Sequence, residues 1–171
     1  EDAHDLTGAF LRAAVGGGLL DARDGTGVAG PLFGDRAWPD GIHPVHGVRR
    51  LQPLFPRHDL LVTHFGVTAL EALAAGLPVM LLNPTPYHRA LARVTGIPEI
   101  GVRRVGKRRL RSLLSDPRPL SDGMKHFRLE LAACSKGSLA GHLKALSPRS
   151  GPGCPACGLT GTVIGRFPFR T

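Results

Sequence analysis

The sequence predicts an α/β fold: a Rossmann-like open parallel sheet with helices on both faces, plus a short C-terminal ribbon fragment. Three observations carry that expectation. Apolar runs of strand length alternate with helix-forming stretches over the first 100 residues, the order that builds a doubly wound sheet. The runs "DLLVTH" and "LPVMLL" are apolar throughout instead of alternating, as strands covered on both faces are. A chain of 171 residues, 42% of them hydrophobic, can bury roughly 70% of its unfolded surface without disulfide or metal staples.

The elements follow in order. "DLTGAFLRAAV" (5–15) places Leu6, Phe10, Leu11 and Val15 on one helical face, with Asp5 as its cap. "GTGVAGPLFG" reads as a short strand ending in a Gly-Pro turn. After a loop rich in Gly, Pro and Asp, "IHPVHGV" is a further strand, and "RRLQPLFPRH" a short helix curtailed by Pro53 and Pro56. Next comes "THFGVTALEALAAGLPVMLLNPTPYH" (63–88), bounded in front by the buried run "DLLV". Its "VTALEALAAG" is built from strong helix formers and stops at Gly76 and Pro78, so the unit is strand, turn, helix, strand. Such a unit is a parallel crossover. "TPYHRALARVTG" is an amphipathic helix, "IPEIGV" a short edge element, and "GKRRLRSLLSD" a helix turning Leu110, Leu113 and Leu114 inward. "DGMKHFRLELAACSKGSLAGHLKAL" is a long helical stretch weakened at Gly137 and Gly141, after which "SPRSGPGCPACG" changes composition to linker and a cysteine pair.

Charge divides the chain. Residues 1–100 hold 8 Lys/Arg against 10 Asp/Glu, and residues 101–171 hold 14 against 3, so the formal +9 belongs to the C-terminal part. Its densest run is "RRVGKRRLR" (103–111), without any aromatic side chain on which a base could stack. A solvated helix face accounts for such a run more simply than a nucleic-acid platform, and nucleic acid is not expected as the partner. No apolar run approaches the ~20 residues of a membrane span, and "EDAHDLTGAF" lacks the regions of a signal peptide, so a cytoplasmic location is expected. Without an initiator Met, and ending on "RFPFRT", the sequence reads as a piece of a longer protein.

In open α/β sheets, ligands lie beyond the carboxyl ends of the strands. The stretch 63–88 sits at such an end, where the helix beginning near Val67 presents free N–H groups and a partial positive charge, and Gly66 has no Cβ to block approach. That suits a phosphate or diphosphate.

Asp59-Leu-Leu-Val, then Gly66-x-Thr68-x-x-Glu71, Gly76-x-Pro78, a strand, and Tyr87-His88 before "ALA" resemble the C-terminal, nucleotide-sugar-binding half of GT-B glycosyltransferases. The likeness is nearest to the UDP-sugar hydrolases of pseudaminic acid synthesis and the related spore-coat polysaccharide proteins, and more distant to the muraminyl N-acetylglucosaminyltransferase of peptidoglycan synthesis. "VAGPLFG" and the opening "ED…DLT" also look like the start of that half. The resemblance covers residues 1–146, leaving 147–153 as linker and 154–171 as a truncated zinc-ribbon-like segment. It implies that Gly66, Val67 and Thr68 hold the diphosphate of a UDP-sugar, that Glu71 accepts from ribose hydroxyls, and that Tyr87 and His88 meet the sugar or phosphates. Where these relatives carry Asn-Gln or His-Gln, this chain has Tyr87-His88, a departure that bears on the identity of the sugar. His64 is a candidate phosphate contact that the resemblance does not predict. The family's catalytic base belongs to an N-terminal half absent from this chain, and no Ser-His-Asp order or nucleophile elbow replaces it. The site requires no cofactor.

Other readings stand beside this one. Thr68-Ala-Leu-Glu71 fits a capping box, in which Glu71 returns to the Thr68 backbone N–H and no ligand is needed. His64 can be an ordinary loop histidine, and His43, His46 and His58 show no metal spacing. The chain can also be a non-catalytic phosphate or nucleotide-binding module, or a basic nucleic-acid-binding domain. Cys154 and Cys157 have the C-x-x-C spacing of half a zinc site, with a disulfide or redox pair as the alternative, and Cys134 reads as a buried apolar residue.

Overall fold

The computed structural model describes residues 5–30, 37–125 and, as backbone, 162–165. The described residues run in the order α1 (Leu6–Val15), β1 (Gly25–Ala29), β2 (His43–His46), β3 (Leu60–Thr63), α2 (Val67–Ala74), β4 (Val79–Asn83), α3 (Pro86–Thr95), β5 (Glu99–Val102), α4 (Lys107–Ser115) and β6 (Thr162–Gly165). Short 3-10 turns at Ala22–Asp24 and Gln52–Arg57 precede β1 and β3, and residues 118–125 are helical again. The long helical stretch expected beyond 125, with Cys134, lies outside the described residues, as do Cys154 and Cys157.

One six-stranded sheet runs in the order β2-β1-β6-β3-β4-β5. β1 and β2 pair in parallel, as do β3 with β4 and β4 with β5. β6 stands between β1 and β3, antiparallel to both, and joins the two parallel groups. Residues 162–165 fall in the stretch read from sequence as ribbon.

The continuous apolar runs are explained by burial on both faces. In β3, Leu60 and Val62 point to one side and Leu61 to the other; in β4, Met80 and Leu82 oppose Val79 and Leu81. One layer packs these strands against Phe10, Leu11 and Ala14 of α1 and Leu110 and Leu113 of α4. The opposite layer packs them against Ala69, Ala72 and Leu73 of α2, Ala92 of α3 and Phe55. At about 25 cal/mol per Å² of apolar surface removed from water, these two layers supply the main drive for folding.

The helix ends are set locally. Thr85 caps α3, its hydroxyl oxygen accepting from the His88 backbone N–H, Pro86 follows at the first helical position, and Gly96 ends the helix at φ +68°. Asp5 stands at the start of α1 but makes no capping bond; its carboxylate is drawn instead to Arg12, 2.6 Å away. Among the described residues, no helix is long and apolar enough to cross a membrane.

Candidate functional site

Every parallel strand leaves the sheet on the same side, so the segments after β2, β3, β4 and β5 converge at one end of the molecule. Asn83, the last residue of β4, ties three of them together. It is fully buried, which requires both ends of its carboxamide to be satisfied. Its Oδ1 accepts from the Phe65 backbone N–H at 3.0 Å, fixing the turn before α2. Its Nδ2 donates to Glu99 Oε2 at 2.7 Å. Glu99 Oε1 accepts from Arg89 Nε at 2.9 Å and lies 2.8 Å from Arg89 Nη2. The Asn83 carbonyl takes the Arg103 backbone N–H at 2.9 Å. A lone Asn closing the apolar run "VMLLN" was its only trace in the sequence.

The start of α2 departs from the capping-box reading. The helix begins at Val67 with Gly66 as its cap residue, whose carbonyl accepts from Ala69 N–H at 3.1 Å and Leu70 N–H at 3.3 Å; no side chain caps it. Thr68 and Glu71 therefore lie inside the helix, where a Thr-to-Glu return bond cannot form. Neither side chain has a partner among the described residues. Gly66 itself is extended (φ 173°), a conformation open to any residue, and an added Cβ would sit 3.6 Å from His64 Nε2, an ordinary contact. The fold thus does not demand glycine at 66.

Thr68 and Glu71, both half-buried, form one wall of a groove of about 620 Å³. Its opposite wall is the segment after β2, with Arg49, Arg50 and Gln52. These two arginines were missed in the sequence, although "VRR" directly follows a strand end. Guanidinium groups remain charged at any working pH and take phosphate oxygens two at a time. A diphosphate between Arg49, Arg50 and the Thr68 hydroxyl would leave Glu71 as an acceptor within the same groove.

A second set gathers at α3. His64 and His88 meet edge to face, ring centres 5.6 Å apart, and Tyr87 meets His88 at 5.8 Å. His88 is buried, with Nδ1 2.7 Å from Thr85 Oγ1, and burial pushes its pKa below the ordinary value. Val67 and Tyr87 are exposed. The structure therefore brings His64, Gly66, Tyr87 and His88 together beside the turn, and Thr68 with Glu71 in the adjoining groove; Tyr87 and His88 do not line that groove.

His58 is held by structure, Nδ1 2.8 Å from the Leu54 carbonyl oxygen and Nε2 3.0 Å from Thr26 Oγ1. Among the described residues no group of three or more His, Cys, Asp or Glu side chains could hold a metal ion. Comparison with protein-family models, with curated proteins and with solved structures finds no match.

Proposed function

We propose that this chain is the nucleotide-sugar-binding half of a glycosyltransferase or UDP-sugar hydrolase acting in surface polysaccharide or nonulosonic acid synthesis. One observation carries the reading: unpartnered Thr68 and Glu71 face Arg49 and Arg50 across a groove at the carboxyl end of a parallel sheet. That arrangement supplies two cations and a hydroxyl for a diphosphate, and a carboxylate for the ribose hydroxyls. The resemblance in Gly66-x-Thr68-x-x-Glu71 supports UDP as the nucleotide and a UDP-sugar as the ligand. Chemistry on the sugar would require groups from an N-terminal half, which would complete the site from the opposite side.

Calorimetric titration with UDP is the test. UDP should bind the chain, and Arg49→Ala with Arg50→Ala should weaken it by tenfold or more, about 1.4 kcal/mol. Glu71→Ala should cost about 1–3 kcal/mol by leaving the ribose hydroxyls unpaired. Gly66→Val should abolish binding while thermal unfolding stays unchanged. UDP affinity that survives all three changes would remove the assignment.

A further inference from the structure

We propose that the groove along the outer edge of β5 is a second anion site, one that takes a small molecule carrying several phosphate charges. Two adjoining hollows of about 500 and 450 Å³ flank this edge strand and share Arg89, Glu99 and Arg109. Arg93 lines the first and Arg104 the second. Four guanidiniums therefore surround one carboxylate.

That carboxylate is already committed. Glu99 Oε1 is held by Arg89 and Oε2 by Asn83, and its single negative charge is already paired with Arg89, so it cannot also balance Arg93, Arg104 and Arg109. The other carboxylates on this side are engaged elsewhere: Asp116 pairs with Arg118 at 2.7 Å, and Asp122 lies 3.6 Å from Lys125. Arg93, Arg104 and Arg109 have no acidic partner among the described residues. Three like charges lining neighbouring hollows repel one another, and a multiply charged anion relieves that repulsion.

The backbone between β5 and α4 forms a tight turn. Arg103 adopts φ +58°, uncommon for a residue with a side chain, and its N–H is bonded to the Asn83 carbonyl. The loop then turns back, so that the Gly106 N–H reaches the Ile100 carbonyl at 2.8 Å and the Arg104 carbonyl comes too near Gly101 for any Cβ there. Arg104 lies in this turn and Arg109 in the first turn of α4 that follows it, and both line one hollow with Glu99. Besides Glu99, the lining is arginine, glycine, proline and aliphatic, without an aromatic ring, so a ligand would be recognised by its phosphates and not by a stacked base. The hollows have the size of a small-molecule site.

Calorimetry and amide chemical shifts on the whole chain, with tripolyphosphate as probe at physiological salt, test the proposal. Tripolyphosphate should bind more tightly than inorganic phosphate and shift amides from 99 to 109. Arg104→Gln with Arg109→Gln should weaken it about tenfold or more, since each guanidinium removed takes away a charge-assisted hydrogen bond to phosphate. Arg49→Gln with Arg50→Gln should leave these shifts in place, which separates this site from the UDP groove. Equal weakening by Arg108→Gln with Arg111→Gln would show general attraction to a basic helix and overturn the proposal. Displacement of the probe by duplex DNA at lower concentration than by pyrophosphate would assign the surface to nucleic acid and overturn it too.

Discussion

Asn83 makes two side-chain bonds from a position with no solvent, so its removal orphans two groups at once: the Phe65 N–H and one Glu99 oxygen. Asn83→Leu should destabilise the chain by about 2–4 kcal/mol, mostly as the penalty for those orphaned groups, read as a shift of the urea midpoint. Asn83→Asp should also destabilise, because a second carboxylate would face Glu99. His88 gives a pH signature. Burial lowers its pKa from 6.5, so below that value the unfolded chain binds a proton that the folded chain refuses. Stability should therefore be full above the ordinary value and fall as pH drops toward the depressed one. His88→Asn should flatten that part of the curve, and an unchanged slope would place the acid response on another group. Neither role was legible in the sequence, because burial and the pairing of residues 16 apart belong to the folded chain. The strand end before Gly66 and the helix that holds Thr68 and Glu71 were legible because a strand end, a turn and a helix start are local patterns.

The two helix starts, at α2 and α3, look alike in sequence and differ in structure. "GVTALE" offers a Thr three residues before a Glu, and "TPYH" offers a Thr before a proline. In α3 the Thr occupies the cap position and bonds back to His88; in α2 the cap position belongs to Gly66, and Thr68 is two positions too far into the helix to cap anything. The capping pattern was right in residue type and wrong in register. Thr85→Ala should cost about 1 kcal/mol of stability, as the loss of a helix cap does, and should remove the hydroxyl beside His88 Nδ1. Thr68→Ala should cost little in denaturation and much in UDP affinity. The reverse ranking would return Thr68 and Glu71 to a purely structural role. The crossover from β3 to β4 through α2 matched its sequence reading because its signals, two wholly apolar runs around a run of helix formers, are short-range.

At the scale of the whole sheet, alternation of elements revealed the class of fold but not the order of strands. The parallel pairs β1–β2 and β3–β4–β5 would be two separate groups without β6. Val163 stands opposite Gly27 on one side and Val62 on the other, a pairing that no local pattern in "GTVIGR" could announce. Since β6 is a central strand, each of its backbone N–H groups has a ladder partner to lose. Val163→Pro removes one of them and adds a ring where the neighbouring strand must approach, while Val163→Thr keeps the backbone intact. The Pro variant should lose at least about 1–3 kcal/mol, the penalty for an orphaned ladder group, and the Thr variant much less of it. Opening this position would expose the edges of β1 and β3, both buried and apolar, which invites pairing between chains. Sedimentation of the Pro variant should therefore show self-association absent from the Thr variant. Equal stability of the two, with both monomeric, would mean that β1 and β3 hold together without β6, and that the two parallel groups are joined by their helical layers alone.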